Sequence, residues 1–276
     1  ELKSRDEAAE FRFWGGDLMA DQAGTPVKHY RDLAFMGFVE VLMNIRTISK
    51  NLKFCKQDVL DFKPDVLILI DYPGFNLRIA QFAKENGIIV HYYISPQVWA
   101  WKENRVKKIK RDVDELFCIL PFEKDFYRRH EMDVHYVGHP LLDAIAERKN
   151  SDDFISKAGL DSRPIVALLP GSRKQEITKM LGVMSQMAGE FEQYQFVIAG
   201  APSQELSFYE SLIGNQVKIV QGMTYELLEN AEAALVTSGT ATLETALFKV
   251  PQVVVYRGGA ISIAIARMLV KIKFIS

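Results

Sequence analysis

Residues 233–257 read AALVTSGTATLETALFKVPQVVVYR and predict a strand, a turn, a short helix and a second strand. Residues 233–236 and 253–256 are short apolar runs, typical of strands that are buried on both faces. Between them, the hydroxyl-rich residues 237–240 suit a helix start, and residues 241–248 continue as that helix. Because such a motif closes as a right-handed parallel crossover, we expect an α/β fold with parallel sheets flanked by helices. The turn then lies at the carboxyl edge of a sheet, where open α/β folds bind ligands.

The turn at the start of this helix has the composition of an anion site. The first N–H groups of a helix have no partner inside it, and with the helix dipole they favour a negative group. Gly239 allows a phosphate to approach the backbone, and Ser238, Thr240 and Thr242 add hydroxyl donors. Glu244 follows about one turn into the helix, where its carboxylate suits a ribose diol beside the phosphate. A capped helix with a solvated glutamate explains the same residues equally well.

The composition indicates a globular protein of two domains. The chain has 276 residues, 48% hydrophobic and 25% charged, with a formal net charge of −1. This length suggests two domains, and the small net charge gives no indication of nucleic-acid binding. Cys55 and Cys118 are far apart and form no metal-type spacing, as expected of a reduced cytosolic protein. No apolar run is long enough to span a bilayer, and the first residues lack the pattern of a signal peptide.

The ends of the sequence suggest that it is part of a longer protein. It begins with Glu1 instead of methionine, and residues 274–276 lie inside an apolar segment with no polar tail. Between the ends, the polar and helix-like residues 141–164 make the best domain boundary. We therefore expect an N-terminal domain over residues 1–150, incomplete at its start, and a C-terminal domain over residues 151–276, incomplete at its end.

Residues 32–56 predict a helix whose first half is almost entirely apolar. A surface helix shows a narrower apolar stripe, so composition alone favours a helix buried in its domain. The alternative is a membrane-facing patch, because the basic residues of the second half would meet anionic lipid head groups. The apolar residues include Phe35, Met36, Phe38, Val39, Leu42 and Met43, and the basic ones are Arg46, Lys50, Lys53 and Lys56.

Residues 64–76, PDVLILIDYPGFN, predict a fully apolar strand that ends just before Asp71. The carboxyl end of a strand in a doubly wound sheet faces the ligand crevice. An aspartate there can act as a general base toward a substrate hydroxyl. Its more common role is to tie down a turn or to cap the following helix. We expect that helix over residues 77–86, with Asn76 as its cap.

Two further segments contain candidate ligand contacts. Trp99 and Trp101, in SPQVWAW, follow a predicted strand and either fill the core or line a cleft for an amphipathic substrate. Residues 170–173, PGSR, lead from a strand at 165–169 into a helix that we expect from about Glu176. The planar fork of Arg173 would then suit a diphosphate. Neither a Walker loop nor a GxGxxG pattern is present.

Several segments, taken together, resemble the lipid-A-disaccharide synthase family. They are SPQVWAW (95–101), LPFEKDFY (120–127), YVGHPLLD (136–143), LLPGSRKQEI (168–177), TSGTATLETALFKVPQVVVYR (237–257) and IARMLVKIKFIS (265–276). The order of SPQVWAW, PGSR and SGTATLE is highly specific, and the resemblance covers essentially the whole chain. It implies a GT-B fold, in which two Rossmann-like domains face a cleft.

The resemblance implies an inverting sugar transfer that needs no metal ion and no other cofactor. The donor would be UDP-2,3-diacylglucosamine and the acceptor 2,3-diacylglucosamine 1-phosphate, and the products UDP and the β-1,6-linked lipid A disaccharide. In this scheme Asp71 takes the proton from the attacking 6-hydroxyl, and Arg173 neutralises the departing diphosphate. Some relatives carry a second aspartate where this chain has Gly74, so Asp71 is the base available here.

The resemblance also implies which residues bind the substrates. The nucleotide-binding set is Gly171, Ser172, Arg173, Gln221, Met223, Ser238, Gly239, Thr240 and Glu244. The acceptor and lipid side consists of Phe35, Met36, Phe38, Val39, Leu42, Met43, Trp99 and Trp101. Because both substrates carry fatty chains, the membrane-docking interpretation of residues 32–56 gains support. The implied location is cytoplasmic and peripheral, on the inner face of the bacterial inner membrane, with a homodimer as one option.

The family differs from this sequence at both ends. It begins with a further strand and a glycine-rich acidic turn, and it continues beyond Ser276. We therefore expect the activity of the longer protein, and little or none of it from this chain alone. Two alternatives stay open: another UDP-sugar enzyme of GT-B type, such as the peptidoglycan glucosaminyltransferase or an epimerase, and a non-catalytic nucleotide- or lipid-binding module.

Overall fold

The computed structural model of the chain describes residues 2–30, 33, 44–148, 153–214 and 217–256. Contacts within the chain form two compact units, Glu1–Val137 and Gly138–Ser276, called here the first and the second unit. The division falls immediately before the polar stretch 141–164, which itself contains two short helices. Each unit has a hydrophobic core of its own.

The first unit alternates strands and helices, as parallel sheets require. In chain order the elements are α1 (Leu2–Arg5), β1 (Trp14–Gly15), α2 (Asp17–Ala23), β2 (Lys28–His29), α3 (Ile45–Phe62), β3 (Val66–Ile70), α4 (Pro73–Glu85), β4 (Ile89–Tyr93), α5 (Val98–Trp101), a 3-10 turn (Glu103–Arg105), α6 (Val106–Asp112), β5 (Glu115–Cys118), α7 (Pro121–Arg128) and β6 (His135–Tyr136). Strands β3, β4, β5 and β6 form a parallel sheet in that order, and β1 and β2 form a separate parallel pair.

Strand β3 lies at the edge of its sheet, and one of its faces is open in the described part of the chain. Val66, Ile68 and Ile70 are 38%, 47% and 44% exposed, whereas Leu69 on the other face is buried. The unbroken apolar sequence of this strand therefore does not mean that both of its faces are buried. Helix α4 packs on the buried face, and its Ile79 is almost fully enclosed in the core.

The second unit contains a five-stranded parallel sheet. Its elements are α8 (Pro140–Ala146), α9 (Phe154–Lys157), β7 (Ile165–Leu169), α10 (Lys174–Glu190), β8 (Gln195–Gly200), α11 (Leu206–Ile213), β9 (Lys218–Gln221), α12 (Thr224–Glu229), β10 (Ala231–Thr237), α13 (Thr240–Leu247) and β11 (Gln252–Val255). The strand order is β11-β10-β7-β8-β9. The central strands β7 and β8 are buried along their whole length, and separate apolar clusters cover the two faces of the sheet.

The strand–turn–helix–strand motif of residues 233–257 is confirmed as β10, α13 and β11, with β10 and β11 parallel neighbours. Burial on both faces is wrong for β11. This strand is the outermost one of the sheet, and Val253 and Val254 are 61% and 38% exposed.

Two helices begin earlier than the sequence suggests. Helix α4 begins at Pro73 instead of residue 77, because proline at the first helical position fits the helix without needing its missing N–H. Asn76 consequently lies inside α4 and is not its cap. Helix α10 begins at Lys174 instead of Glu176, which makes Arg173 the capping residue.

The apolar first half of the helix predicted over residues 32–56 lies outside the described residues, and its basic second half belongs to α3. Among the described helices, none is long and apolar enough to cross a bilayer.

Candidate functional site

The second unit has a topological switch point between strands β7 and β10. From β7 the chain moves outward through β8 to β9, and then returns to the other side of β7 as β10. The two strands are parallel neighbours, with Leu169 paired to Val236, so the loops that follow them leave from the same edge. Ligands of open α/β sheets bind at such a point. The structure thus brings residues 170–173 and 238–240 to one edge, as the sequence predicts.

The loop after β7 depends on Gly171. Its φ is +104°, in the region that favours glycine, and a Cβ there would lie 2.8 Å from Glu176 Oε2 and 3.1 Å from Glu176 Cβ. The carbonyl of the next residue, Ser172, accepts a hydrogen bond from Gln204 Nε2 at 3.2 Å. The loop is therefore fitted closely against the first turn of α10.

Arg173 stands at the N-terminus of α10 and is accessible. Its side chain is 55% exposed, and its NH1 group donates to Glu176 Oε1 at 2.6 Å. The guanidinium lies at the N-terminus of a 17-residue helix, where the helix dipole also favours an anion, and its present anionic partner is Glu176. The guanidinium and the helix dipole both favour an anion at this edge of the sheet.

The loop after β10 places a glycine at the second helix start. Gly239 caps α13 with φ 149°, and the space where a Cβ would stand is open. Ser238 is half-buried and Thr240 is exposed at the first position of the helix. The sequence suggests that Thr242 is a hydroxyl donor for the ligand, and this is wrong. Its side chain is buried and donates to the Gly239 carbonyl at 2.7 Å.

Glu244 has a partner that sequence reasoning did not find. Its Oε1 accepts a hydrogen bond from the hydroxyl of Tyr225, in α12, at 2.9 Å. Burial, followed by the hydrogen bond and the negative charge of Glu244, raises the pKa of Tyr225 to about 12, so the phenol remains a donor at neutral pH. The ring of Tyr225 packs on Phe248, with centroids 5.3 Å apart. Glu244 is therefore held in place rather than freely solvated.

Gln221 and Met223 lie at the end of β9, the edge strand two positions from β7. Met223 packs on the core, and Gln221 Nε2 donates to the Gln204 carbonyl at 2.6 Å. Because Gln204 also donates to Ser172, it connects the β9 edge to the loop that precedes Arg173. Nothing in the sequence signals this bridging role of Gln204.

Thr237 is a further polar residue at the switch point. It ends β10 with a side chain that is 7% exposed, and its Oγ1 is buried without a hydrogen-bond partner in the described structure. A buried hydroxyl without a hydrogen-bond partner is rare in proteins.

Asp71 follows β3 in the first unit, at the carboxyl edge of the other parallel sheet. Its backbone and that of Tyr72 are left-handed, with φ of 45° and 46°. The side chain is exposed, and no described residue forms a hydrogen bond or ion pair with the carboxylate. Asp71 therefore neither ties down the turn nor caps α4 with its side chain, which are the structural roles the sequence also allows.

The predicted lipid-side residues are described only in part. Trp99 is half-buried against the core of the first unit and contacts Phe122 edge to face, with centroids 4.9 Å apart. This packing agrees with a core-filling role for one side of the indole. The side chain of Trp101 lies outside what the structure describes, as do Phe35, Met36, Phe38, Val39, Leu42 and Met43. Within the described ranges, no cluster of three His, Cys, Asp or Glu residues could hold a metal ion.

Sequence comparison gives a family match over the whole chain. The family model described as "Lipid-A-disaccharide synthetase" matches residues 1–276. The lipid-A-disaccharide synthase of Syntrophus aciditrophicus is 42% identical over 270 residues, which are 95% of this chain and 68% of that protein. The synthase of Myxococcus xanthus is 38% identical over 283 residues, which cover 100% of this chain and 74% of that protein.

Structure comparison shows the fold. A UDP-GlcNAc 2-epimerase from Neisseria meningitidis, solved with UDP-GlcNAc, has a TM-score of 0.59 at 14% identity, over 90% of this chain and 73% of that one. A glycotransferase of kitacinnamycin has a TM-score of 0.55 at 11% identity, over 90% of this chain and 74% of that one. These likenesses, together with the parallel sheets and their flanking helices, confirm the predicted α/β fold class.

Proposed function

The chain belongs to the lipid-A-disaccharide synthetase family, and from that membership we propose that it joins UDP-2,3-diacylglucosamine to 2,3-diacylglucosamine 1-phosphate. The products are UDP and the β-1,6-linked disaccharide of lipid A. The observation that carries the proposal is the family match along the entire chain. The placement of residues 170–173 and 238–240 at one switch point supports it, because this is where an open α/β sheet holds a phosphorylated ligand.

We propose that the second unit binds the nucleotide. The N-termini of α10 and α13 and the guanidinium of Arg173 face the diphosphate, with Gly171, Ser172, Ser238, Gly239 and Thr240 as the surrounding backbone and hydroxyl donors. Glu244, held by Tyr225, accepts hydrogen bonds from the ribose diol. Gln221 and Met223 approach the uracil. A site of this kind balances the charge of the diphosphate with protein groups, so the proposed reaction requires no metal ion.

The proposed chemistry is a single displacement with inversion. The 6-hydroxyl oxygen of the acceptor forms a bond to the anomeric carbon of the donor sugar, while the bond from that carbon to the UDP oxygen breaks. Asp71 accepts the proton of the hydroxyl as general base. The negative charge that develops on the departing diphosphate is stabilised by Arg173 and the two helix N-termini, which are arranged before the reaction begins.

We propose that the acceptor side faces a membrane surface, since both substrates carry acyl chains. The apolar residues of the segment 35–43 would enter the lipid, together with Trp99 and Trp101. The basic side chains of α3, such as Lys50 and Lys53, would meet anionic head groups. The protein then acts at the inner face of the inner membrane.

The Asp71→Asn variant tests the proposed function. We expect disaccharide formation to fall by about 10²–10⁴-fold, the usual contribution of a general base, while UDP binding measured by calorimetry stays unchanged. Asp65→Asn, at the exposed start of the same strand, is the matched control and should keep the full rate. Parallel assays with diacylated and unacylated UDP-glucosamine donors separate a lipid-specific enzyme from other UDP-sugar enzymes. A rate within about threefold of the original for Asp71→Asn would exclude the assigned base.

A further inference from the structure

We propose that Tyr92 and Asn76 are positioning residues for Asp71: they fix its peptide in a left-handed conformation that leaves the carboxylate unbonded and open to the acceptor hydroxyl. This inference rests on the proposed role of Asp71 as general base.

The conformation of Asp71 needs support from its surroundings. A left-handed backbone is unfavourable for residues with a Cβ, and here two of them, Asp71 and Tyr72, follow each other. Such conformations persist only where neighbouring groups hold them, and they concentrate at functional sites. The chain between β3 and α4 is therefore expected to relax once its supports are removed.

The supports converge on one carbonyl. The hydroxyl of Tyr92, a residue of β4 that is 0% exposed, donates to the carbonyl oxygen of Asp71. Asn76 Nδ2 donates to the same oxygen at 2.8 Å and to the Ile70 carbonyl at 3.0 Å. In addition, the Asp71 N–H donates to the Tyr93 carbonyl at 3.0 Å. Both lone pairs of the Asp71 carbonyl are thus used, and its peptide is fixed from the strand side and from the helix side.

These hydrogen bonds hold the backbone of Asp71 and do not involve its side chain. Asn76 lies in the first turns of α4, where side chains lean toward the helix N-terminus, and so it reaches back to the end of β3. Tyr92 is supplied by the strand that pairs with β3, so its position is set by the sheet register. Burial raises the pKa of the Tyr92 phenol well above its usual range, which keeps the hydroxyl protonated as a donor. Neither residue donates a hydrogen bond to the carboxylate itself.

The first test measures catalysis in the intact protein that carries this sequence. Tyr92→Phe and Asn76→Ala should each lower kcat about tenfold, because a small displacement of a catalytic group is costly, while KM for the UDP-sugar stays within about twofold. In an Asp71→Asn background neither change should lower the residual rate further. Tyr136→Phe, an exposed tyrosine, and Asn86→Ala, whose amide bonds the Phe82 carbonyl at the other end of α4, are the matched controls.

The second test does not depend on activity. Hydrogen exchange of the Asp71 amide should become about tenfold faster in Tyr92→Phe and in Asn76→Ala, since the loss of one hydrogen bond is worth about that factor. Unaltered exchange would overturn the proposal that Tyr92 and Asn76 fix the Asp71 backbone. Faster exchange with an unaltered kcat would overturn the proposal that this fixation matters for catalysis. Equal losses in the Asp71 and Asp71→Asn backgrounds would show a merely structural effect. A full rate for Asp71→Asn would reject Asp71 as the general base. The exchange measurement would still show whether Tyr92 and Asn76 fix the Asp71 backbone.

Discussion

Two of the candidate site residues are held in position by neighbouring side chains. Glu244 is placed by Tyr225, which lies 19 residues away in sequence, and Arg173 is paired with Glu176 in the first turn of its own helix. Helical spacing makes a contact between Arg173 and Glu176 foreseeable, because residues three apart share a face. A hydroxyl that arrives from another helix, as in Tyr225, leaves no such pattern.

Removing the Tyr225 hydroxyl should weaken nucleotide binding. We expect Tyr225→Phe to raise the Kd for UDP about three- to tenfold, with kcat little changed, because Glu244, the proposed ribose ligand, loses the hydrogen bond that holds it. Isothermal calorimetry with UDP and steady-state kinetics measure the two effects. Tyr136→Phe serves as control. An unchanged Kd would show that Glu244 does not contact the ribose.

Removing the charge of Glu176 should have the opposite effect. Glu176→Gln removes the negative charge that competes with a diphosphate for the Arg173 guanidinium. Arg173 is exposed and Glu176 partly so, and ion pairs near the surface are worth at most about 1 kcal/mol, so we expect UDP to bind about two- to fivefold more tightly. Glu190→Gln, at the far end of α10, should leave the Kd unchanged. Weaker binding of UDP by Glu176→Gln would mean that Glu176 supports Arg173 instead of competing for it.

At the scale of elements, sequence predicts what is local. Apolar runs and the turn residues between them locate β7, β10 and α13, and the crossover rule places their loops at the carboxyl edge. Strand order is not local, and so the exposure of β11 and of one face of β3 could not be foreseen. For the same reason, the position of Gln221 and Met223 at the outer strand β9 could not be foreseen. The bridge through Gln204 depends on packing between elements and has no local signal either.

The pair β1–β2 shows how side chains can secure a very short element. Each strand has two residues, and the segment is fastened to α3 through Asp58, which is 7% exposed. Arg12 Nε and Trp14 Nε1 donate to its two carboxylate oxygens at 2.7 Å and 2.9 Å.

Breaking this anchor should destabilise the first unit. We expect Asp58→Ala to lower the free energy of unfolding by about 1–3 kcal/mol, because the buried carboxylate that accepts from the partly exposed Arg12 and from the Trp14 indole is lost. Urea denaturation followed by tryptophan fluorescence measures the change, with the exposed Asp61→Ala of the same helix as control. A loss below about 0.5 kcal/mol, the range of ordinary surface substitutions, would show that the segment is held by other contacts.

For the whole molecule, both units bury weak acids in their neutral form. Burial raises the pKa of Cys55 and of Cys118 to about 12, from an ordinary value of 9.0. Burial likewise raises the pKa of Tyr127 in the first unit and of Tyr209 in the second. A group whose pKa is higher in the folded state holds its proton there after the unfolded chain has released it. Its contribution is complete below the unfolded pKa and is lost as the pH rises through the folded value.

Stability should therefore decline on the alkaline side. We expect the free energy of unfolding, measured with urea, to be nearly constant from pH 7 to pH 8 and to fall steadily between about pH 9 and pH 11. The cysteines begin this decline, because the pKa of a cysteine in the unfolded chain is lower than that of a tyrosine. In a Cys55→Ala, Cys118→Ala protein the first part of the fall should therefore disappear. In the native protein at pH 8, both thiols should react with iodoacetamide far more slowly than in urea, because they are buried. Rapid native labelling of either cysteine, or a stability that stays flat to pH 11, would contradict the burial on which this prediction rests.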